Sequence, residues 1–263
     1  MSRINYNIIL LSLIVISNAG ATEVSFIACP VYRDTDAGPK SGCWLATERK
    51  SGVTYDIGSG LTKPLSDRAV LVEGIFDEAV HSDKSLCGGA VLSPVRVSVL
   101  ESQCQPHILP AENYPGRIFR PPGEVMQPST VVRQLPQGPF ADRTYSILFN
   151  FNSDFLNYQY SEVILEQASL YIRASKAKAV VIKGYAATEV LNVSGQLLQE
   201  KSELAKQRSE KVKLALTRLQ VPAEIIHTDW QGVAEPVEHY AGGLEQETLR
   251  RVDVLIQIDG KSR

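Results

Sequence analysis

The second half of this 263-residue chain contains no cysteine; the four it has are Cys29, Cys43, Cys87 and Cys104. No C-x-x-C pair occurs, and neither His81 nor His107 is spaced with a cysteine as a ligand pair, so a metal site is not expected. Basic excess is lacking as well. Lys and Arg number 27 against 29 Asp and Glu, a net charge of −2, whereas gripping a phosphate backbone takes a concentrated basic face. A nucleic-acid partner is therefore excluded. There is no G-x-S-x-G, no phosphate-binding glycine loop, and the histidines at 81, 107, 227 and 239 show no ligand spacing. Neither an enzyme nor a cofactor is expected. Long hydrophobic runs are missing too: the uncharged stretch Ile8 to Ile16 falls well short of the roughly 20 apolar residues that cross a bilayer.

That short run has a different meaning. Arg3 precedes it and Ala19-Gly20-Ala21 follows in the small-x-small pattern cut by signal peptidase, which predicts a signal peptide over residues 1–21 and an exported, periplasmic chain within reach of the outer membrane. Four cysteines in an exported chain predict two disulfides, with three possible pairings. Sequential pairing, Cys29–Cys43 and Cys87–Cys104, closes two short loops and is the expectation. Phe26-Ile27-Ala28-Cys29 distantly resembles a lipidation box, but Glu23 separates it from the apolar run and lipidation would leave an odd number of cysteines.

Residues 22–104 alternate strand-length apolar runs with turns: Val24 to Ile27, Cys43 to Ala46, Val53 to Ile57, Ala69 to Phe76, Ala90 to Leu92 and Val95 to Leu100. This predicts a small all-β domain, barrel or sandwich, with a strand count resembling an oligonucleotide/oligosaccharide-binding barrel. A core of that size leans on disulfides. Val95, Val97 and Val99 alternate with Arg96 and Ser98, as on a half-buried strand. Residues 105–142 then carry prolines at 106, 110, 115, 121, 122, 128, 136 and 139, too dense for helix or central strand. The stretch reads as a semi-rigid linker, or as a loop docked by Tyr114, Ile118 and Phe119.

Residues 143–259 change period again. Ser146 to Phe151 is strand-like, and Ile164, Ala168, Tyr171 and Ile172 are helically spaced behind Ser161. A strand Ala179 to Tyr185, a helix Lys201 to Leu219, and strands Glu224 to Asp229 and Arg251 to Ile258 complete the order β-α-β-α-β-β. The fold class is α+β, with a disulfide-stapled β domain followed by a helix-on-sheet sandwich.

Three motifs within that second domain resemble the OmpA-like family. Gly184-Tyr185-Ala186-Ala187 fills the family's G-H-T-D or G-Y-x-[DS] motif, Lys201 to Ser209 fills N-x-x-L-S-x-x-R-A, and Leu249-Arg250-Arg251-Val252-Asp253 fills N-R-R-V-[DE]. The resemblance implies a peptidoglycan-associating domain of the cell envelope, whose ligand is a diaminopimelate side chain. It implies that Arg208 takes the ligand carboxylate, for which a bidentate guanidinium is suited. Ala187 stands where the family has its aspartate, so the ammonium loses a bond of roughly 1.5–3 kcal/mol. Glu189 and Asp154 are candidates to replace it. Arg250 and Arg251 divide between a ligand-site contact and an ion pair within the fold. On a helix with Lys206, Lys211 and Lys213, Arg208 also reads as a surface charge. Two functions follow: attachment to peptidoglycan through an altered pocket, or use of the fold for contact with other envelope proteins. Trp230, within the Asp229 to Glu247 insert that resembles the family's variable loop between the last two strands, is either a partner contact or core.

Overall fold

The computed structural model describes residues 21–36, 42–77, 87–115, 133–157, 160–233, 235–237 and 244–258. All but the last residue of the expected signal peptide lies outside them, as do Ile118 and Phe119. No helix among the described residues is long and apolar enough to cross a membrane.

The N-terminal region is all strand: β1 (Thr22–Ala28), β2 (Val31–Arg33), β3 (Cys43–Thr47), β4 (Thr54–Asp56), β5 (Arg68–Phe76), β6 (Ala90–Val91), β7 (Val95–Gln103) and β8 (Ile108–Leu109). These form two separate sheets, β1-β5-β7 and β6-β4-β3-β2-β8, rather than one closed barrel. Between them pack Phe26, Ala46, Tyr55, Ile57, Val70, Val72, Leu92 and Val97, drawn from both sheets and their turns. Their alternate side chains point inward, as the pleat requires.

The cysteines pair as Cys29–Cys104 and Cys43–Cys87, not sequentially as expected from loop length. Strand order is the reason. β1 and β7 both flank β5, with Ala28 opposite Val70 and Gln103 opposite Arg68, so Cys29 and Cys104 leave the sheet at the same end, 5.7 Å apart at Cα. Cys43 opens β3 and Cys87 precedes β6, which lies one strand away across β4; their Cα atoms are 6.0 Å apart. Long-range pairing overrides the entropy of short loops.

The described ends of the proline-rich stretch pack on the two domains. Its first residues join the N-terminal domain: β8 pairs with β2, and the Tyr114 ring carries the Arg33 guanidinium 3.8 Å from its centroid. Its last lie on the second domain, where Phe140 stacks edge-on against Tyr171, whose hydroxyl donates to Ala141 O and accepts from Ala141 N.

The C-terminal domain runs β9 (Arg143–Leu148), α1 (Ser161–Ser175), β10 (Ala179–Tyr185), a hairpin of β11 (Leu191–Val193) and β12 (Gln196–Leu198), α2 (Glu203–Arg218), β13 (Ile226–Gln231), α3 (Glu245–Thr248) and β14 (Arg251–Gln257). The main sheet is ordered β13-β10-β14-β9, with β10 parallel to β13 and antiparallel to β14. Both helices pack on it: Leu165, Ala168 and Ile172 from α1, and Val212 and Leu216 from α2, meet Val180, Ile182, Val252, Val254 and Ile256. The i, i+4 spacing that buries Leu204, Val212 and Leu216 also buries Arg208. Gly184 is glycine because a Cβ there would strike the Ala205 carbonyl of α2. That close approach brings the end of β10 and the start of α2 to one place.

Candidate functional site

Arg208 is fully buried, so it is no surface charge. Its guanidinium has five N–H donors, and every one is used inside the protein. Nε donates to Ser153 O at 2.8 Å, one Nη1 proton to Tyr185 O at 3.0 Å and one Nη2 proton to Asn150 O at 3.2 Å. The remaining two go to one carboxylate, that of Glu200, at 2.9 and 2.6 Å. Burial pulls the Arg208 pKa below its ordinary range, while Glu200 pushes the other way and favours the charged form.

Glu200 is the residue that sequence reasoning missed. Both its oxygens also accept a backbone N–H, Oε1 from Asn152 at 2.7 Å and Oε2 from Ala187 at 2.8 Å. It precedes α2 in the polar run Gln199-Glu200-Lys201-Ser202, which has the appearance of a solvated loop. Nothing in that run marks it. Ala187 contributes only its backbone, through the N–H just described and a carbonyl that accepts from Glu200 N at 2.9 Å.

The other expected site residues are dispersed. Glu189 lies exposed on the loop after β10. Asp154 pairs with Lys211 at 3.0 Å on the surface. Arg251 is buried within the fold: it bonds Asp253 at 2.9 Å and the carbonyls of Thr248 and Glu235, and its guanidinium stacks 4.3 Å from the Tyr185 ring centroid. Trp230 is 44% exposed, with the Lys206 ammonium 5.1 Å from its ring.

Arg250 reaches into the other domain. It donates to both oxygens of Glu73 on β5, at 3.1 and 2.6 Å, with both side chains almost wholly buried. Burial works against its charge, but the carboxylates of Glu73, Glu200 and Glu247 outweigh it and hold the pKa above the ordinary arginine range. Arg96 of β7 pairs with Glu247 of α3. Ser98 Oγ accepts from Phe151 N at 2.9 Å, and Thr62 Oγ1 from Asn150 Nδ2 at 2.6 Å. Arg96 and Ser98 form the polar face of a half-buried strand, and that face lies against the C-terminal domain. The N-terminal domain thus sits on the Asn150–Ser153 segment that frames Arg208.

Among the described residues, Cys43, Asp56 and Cys87 bring metal-type donor atoms together. Their sulfurs are spent on the disulfide between Cys43 and Cys87.

Residues 148–250 match the OmpA family, less than half of the chain. The C-terminal domain is OmpA-like. No curated protein matches. Similar solved structures include the OmpA-like domain of FopA1 from Francisella tularensis, at 19% identity over 43% of this chain and 71% of that one, with a TM-score of 0.34. A peptidoglycan-associated lipoprotein from Burkholderia pseudomallei is 23% identical over 43% of this chain and 90% of that one, with a TM-score of 0.34. The periplasmic domain of Helicobacter pylori MotB is 18% identical over 46% of this chain and 76% of that one, with a TM-score of 0.36.

Proposed function

We propose that this protein is an exported, non-enzymatic component of the bacterial cell envelope whose OmpA-like domain serves contact with protein, first of all its own N-terminal domain, and does not grip peptidoglycan through Arg208. One observation carries the reading: all five N–H donors of Arg208 are bonded within the chain, two of them to Glu200. A ligand carboxylate would have to displace a buried partner with four hydrogen bonds of its own. Ala187 adds to this, because the position that supplies the family's carboxylate for a ligand ammonium has none. The disulfides support a periplasmic setting.

The second reading, peptidoglycan association through an altered pocket, has one observation in its favour. Arg208 and the backbone N–H groups of Ala187 and Asn152 still converge on a carboxylate. Incubation of the full mature chain with purified cell-wall sacculi separates the two. Sedimentation with sacculi is expected at background level. Retention released by free diaminopimelate would establish the second reading.

A further inference from the structure

The carboxylate of Glu200 is held as a bound ligand is held. Each oxygen takes one guanidinium N–H and one backbone N–H: Oε1 from Arg208 Nη2 and Asn152 N, Oε2 from Arg208 Nη1 and Ala187 N, all between 2.6 and 2.9 Å. The cradle itself is built on rigid parts. Arg208 lies on the buried stripe of α2 and is fixed by the carbonyls of Ser153, Tyr185 and Asn150, so its fork is aimed before any carboxylate arrives.

The occupant comes from a less rigid part. Glu200 ends the strap of residues 188–200 that contains the β11–β12 hairpin, a two-stranded sheet paired with no other strand among the described residues. Isolated hairpins are marginal in water. Asn192, Ser194, Gly195, Gln196 and Leu197 are exposed, and Leu197 is 72% so. The strap is tied at its base by Glu200 N to Ala187 O and Thr188 Oγ1 to Gly232 O, in its middle by the buried side chain of Val193, and at its tip by Ile27 N of β1 to Ser194 Oγ, 3.0 Å. The tie at the tip belongs to the N-terminal domain.

We infer that Glu200 is a built-in surrogate ligand, a reversible occupant of a latent carboxylate receptor, and that the hairpin strap, held at its tip by the N-terminal domain, keeps that receptor closed. This rests on the reading above, in which Arg208 is occupied from within. The ligand class is a small or chain-terminal carboxylate, since the cradle offers two guanidinium and two backbone donors and no carboxylate of its own once Glu200 leaves. Lifting the strap exposes all four donors together.

Hydrogen exchange on the full mature chain tests the strap. The Ala187 and Asn152 amides, whose acceptor is Glu200, should exchange at least about tenfold faster than those of Ile182 and Val254 in the central strands, because local opening needs less free energy than global unfolding. Ser194→Ala should accelerate the two cradle amides and leave the central ones unchanged. Exchange of all four at one common rate, unaffected by Ser194→Ala, would overturn the gating. Glu200→Ala tests the receptor, with acetate as the probe. Against chloride at equal ionic strength, saturating acetate should raise the melting temperature of this variant by at least about 2–4 °C and leave wild type and Glu200→Ala/Arg208→Met unmoved. A folded Glu200→Ala chain indifferent to acetate overturns the proposal. Should the variant fold poorly, refolding yield carries the same readout: recovery in acetate alone supports the receptor, and no recovery in either salt overturns it. Capture of wild type by sacculi would sink the reading under Proposed function and leave both of these measurements intact.

Discussion

Removing Glu73 should destabilise the whole chain through Arg250. In Glu73→Ala the guanidinium keeps only the Phe149 carbonyl at 3.3 Å as a direct acceptor and stays buried, since both flanking domains remain in place. Two unit charges about 4 Å apart interact by about 4 kcal/mol at an effective dielectric of 20. Two charge-assisted bonds are lost with the partner, and deleting one member of a buried pair costs about 3–5 kcal/mol. Glu200 and Glu247 still favour the Arg250 charge, which places the expected loss near 3 kcal/mol, a large share of a typical 5–15 kcal/mol total. Arg250→Met should lose a similar amount by leaving Glu73 unpaired. The double variant Glu73→Ala/Arg250→Met, carrying no stranded charge, should recover most of it. Urea unfolding followed by tryptophan fluorescence and far-UV dichroism reads all four corners of the cycle. Wild type should show a single coincident transition, because the pair joins the two domains. A Glu73→Ala loss below about 1 kcal/mol, or additivity of the two single losses in the double variant, would refute the claim that this buried pair couples the domains.

Peptide mapping of the unreduced protein should yield Cys29 with Cys104 and Cys43 with Cys87; a Cys29–Cys43 peptide would contradict the strand order. Reduction should abolish cooperative unfolding of the N-terminal domain, each bridge contributing about 4 kcal/mol in the chain-entropy picture. Burial is the main cause that pushes the Glu247 pKa above its ordinary 4.5, with Glu73 adding and Arg96 and Arg250 opposing. A carboxyl with a raised folded pKa binds more protons folded than unfolded, so its contribution is complete below 4.5 and is lost as pH rises through the folded value. Glu247→Gln should therefore flatten the decline of stability above pH 4.5, and identical pH slopes in the two proteins would disprove it. Gly184→Ala should destabilise by about 1–3 kcal/mol by forcing α2 off the sheet, measured as a lower urea midpoint; an unchanged midpoint would show that the helix yields freely.

Local sequence determined the elements whose signal is periodic. Alternation marked β7 and helical spacing marked α1 and α2, because burial on one face imposes period 2 or 3.6, whereas β5 and β10 showed as short continuous apolar runs. Arg208 and Glu73, both fully buried, were not legible as buried charges: the lysines around Arg208 on its helix make a surface charge an equal reading, and Glu73 is one polar residue in an apolar run. Their partners were not legible either. Glu200 lies in a polar run indistinguishable from a solvated loop, Arg250 meets a residue 177 positions away, and Cys29 meets one 75 positions away. Arg96 and Ser98 alternate as a wet strand face does, and a sequence records only that a face is polar, not whether water or another domain covers it. Pairing over such separations is set by sheet order and by the docking of one domain on the other. Glu200 lies only eight positions before Arg208, and the turn of the chain into α2 decided that the arginine of the family motif is answered by the chain's own carboxylate.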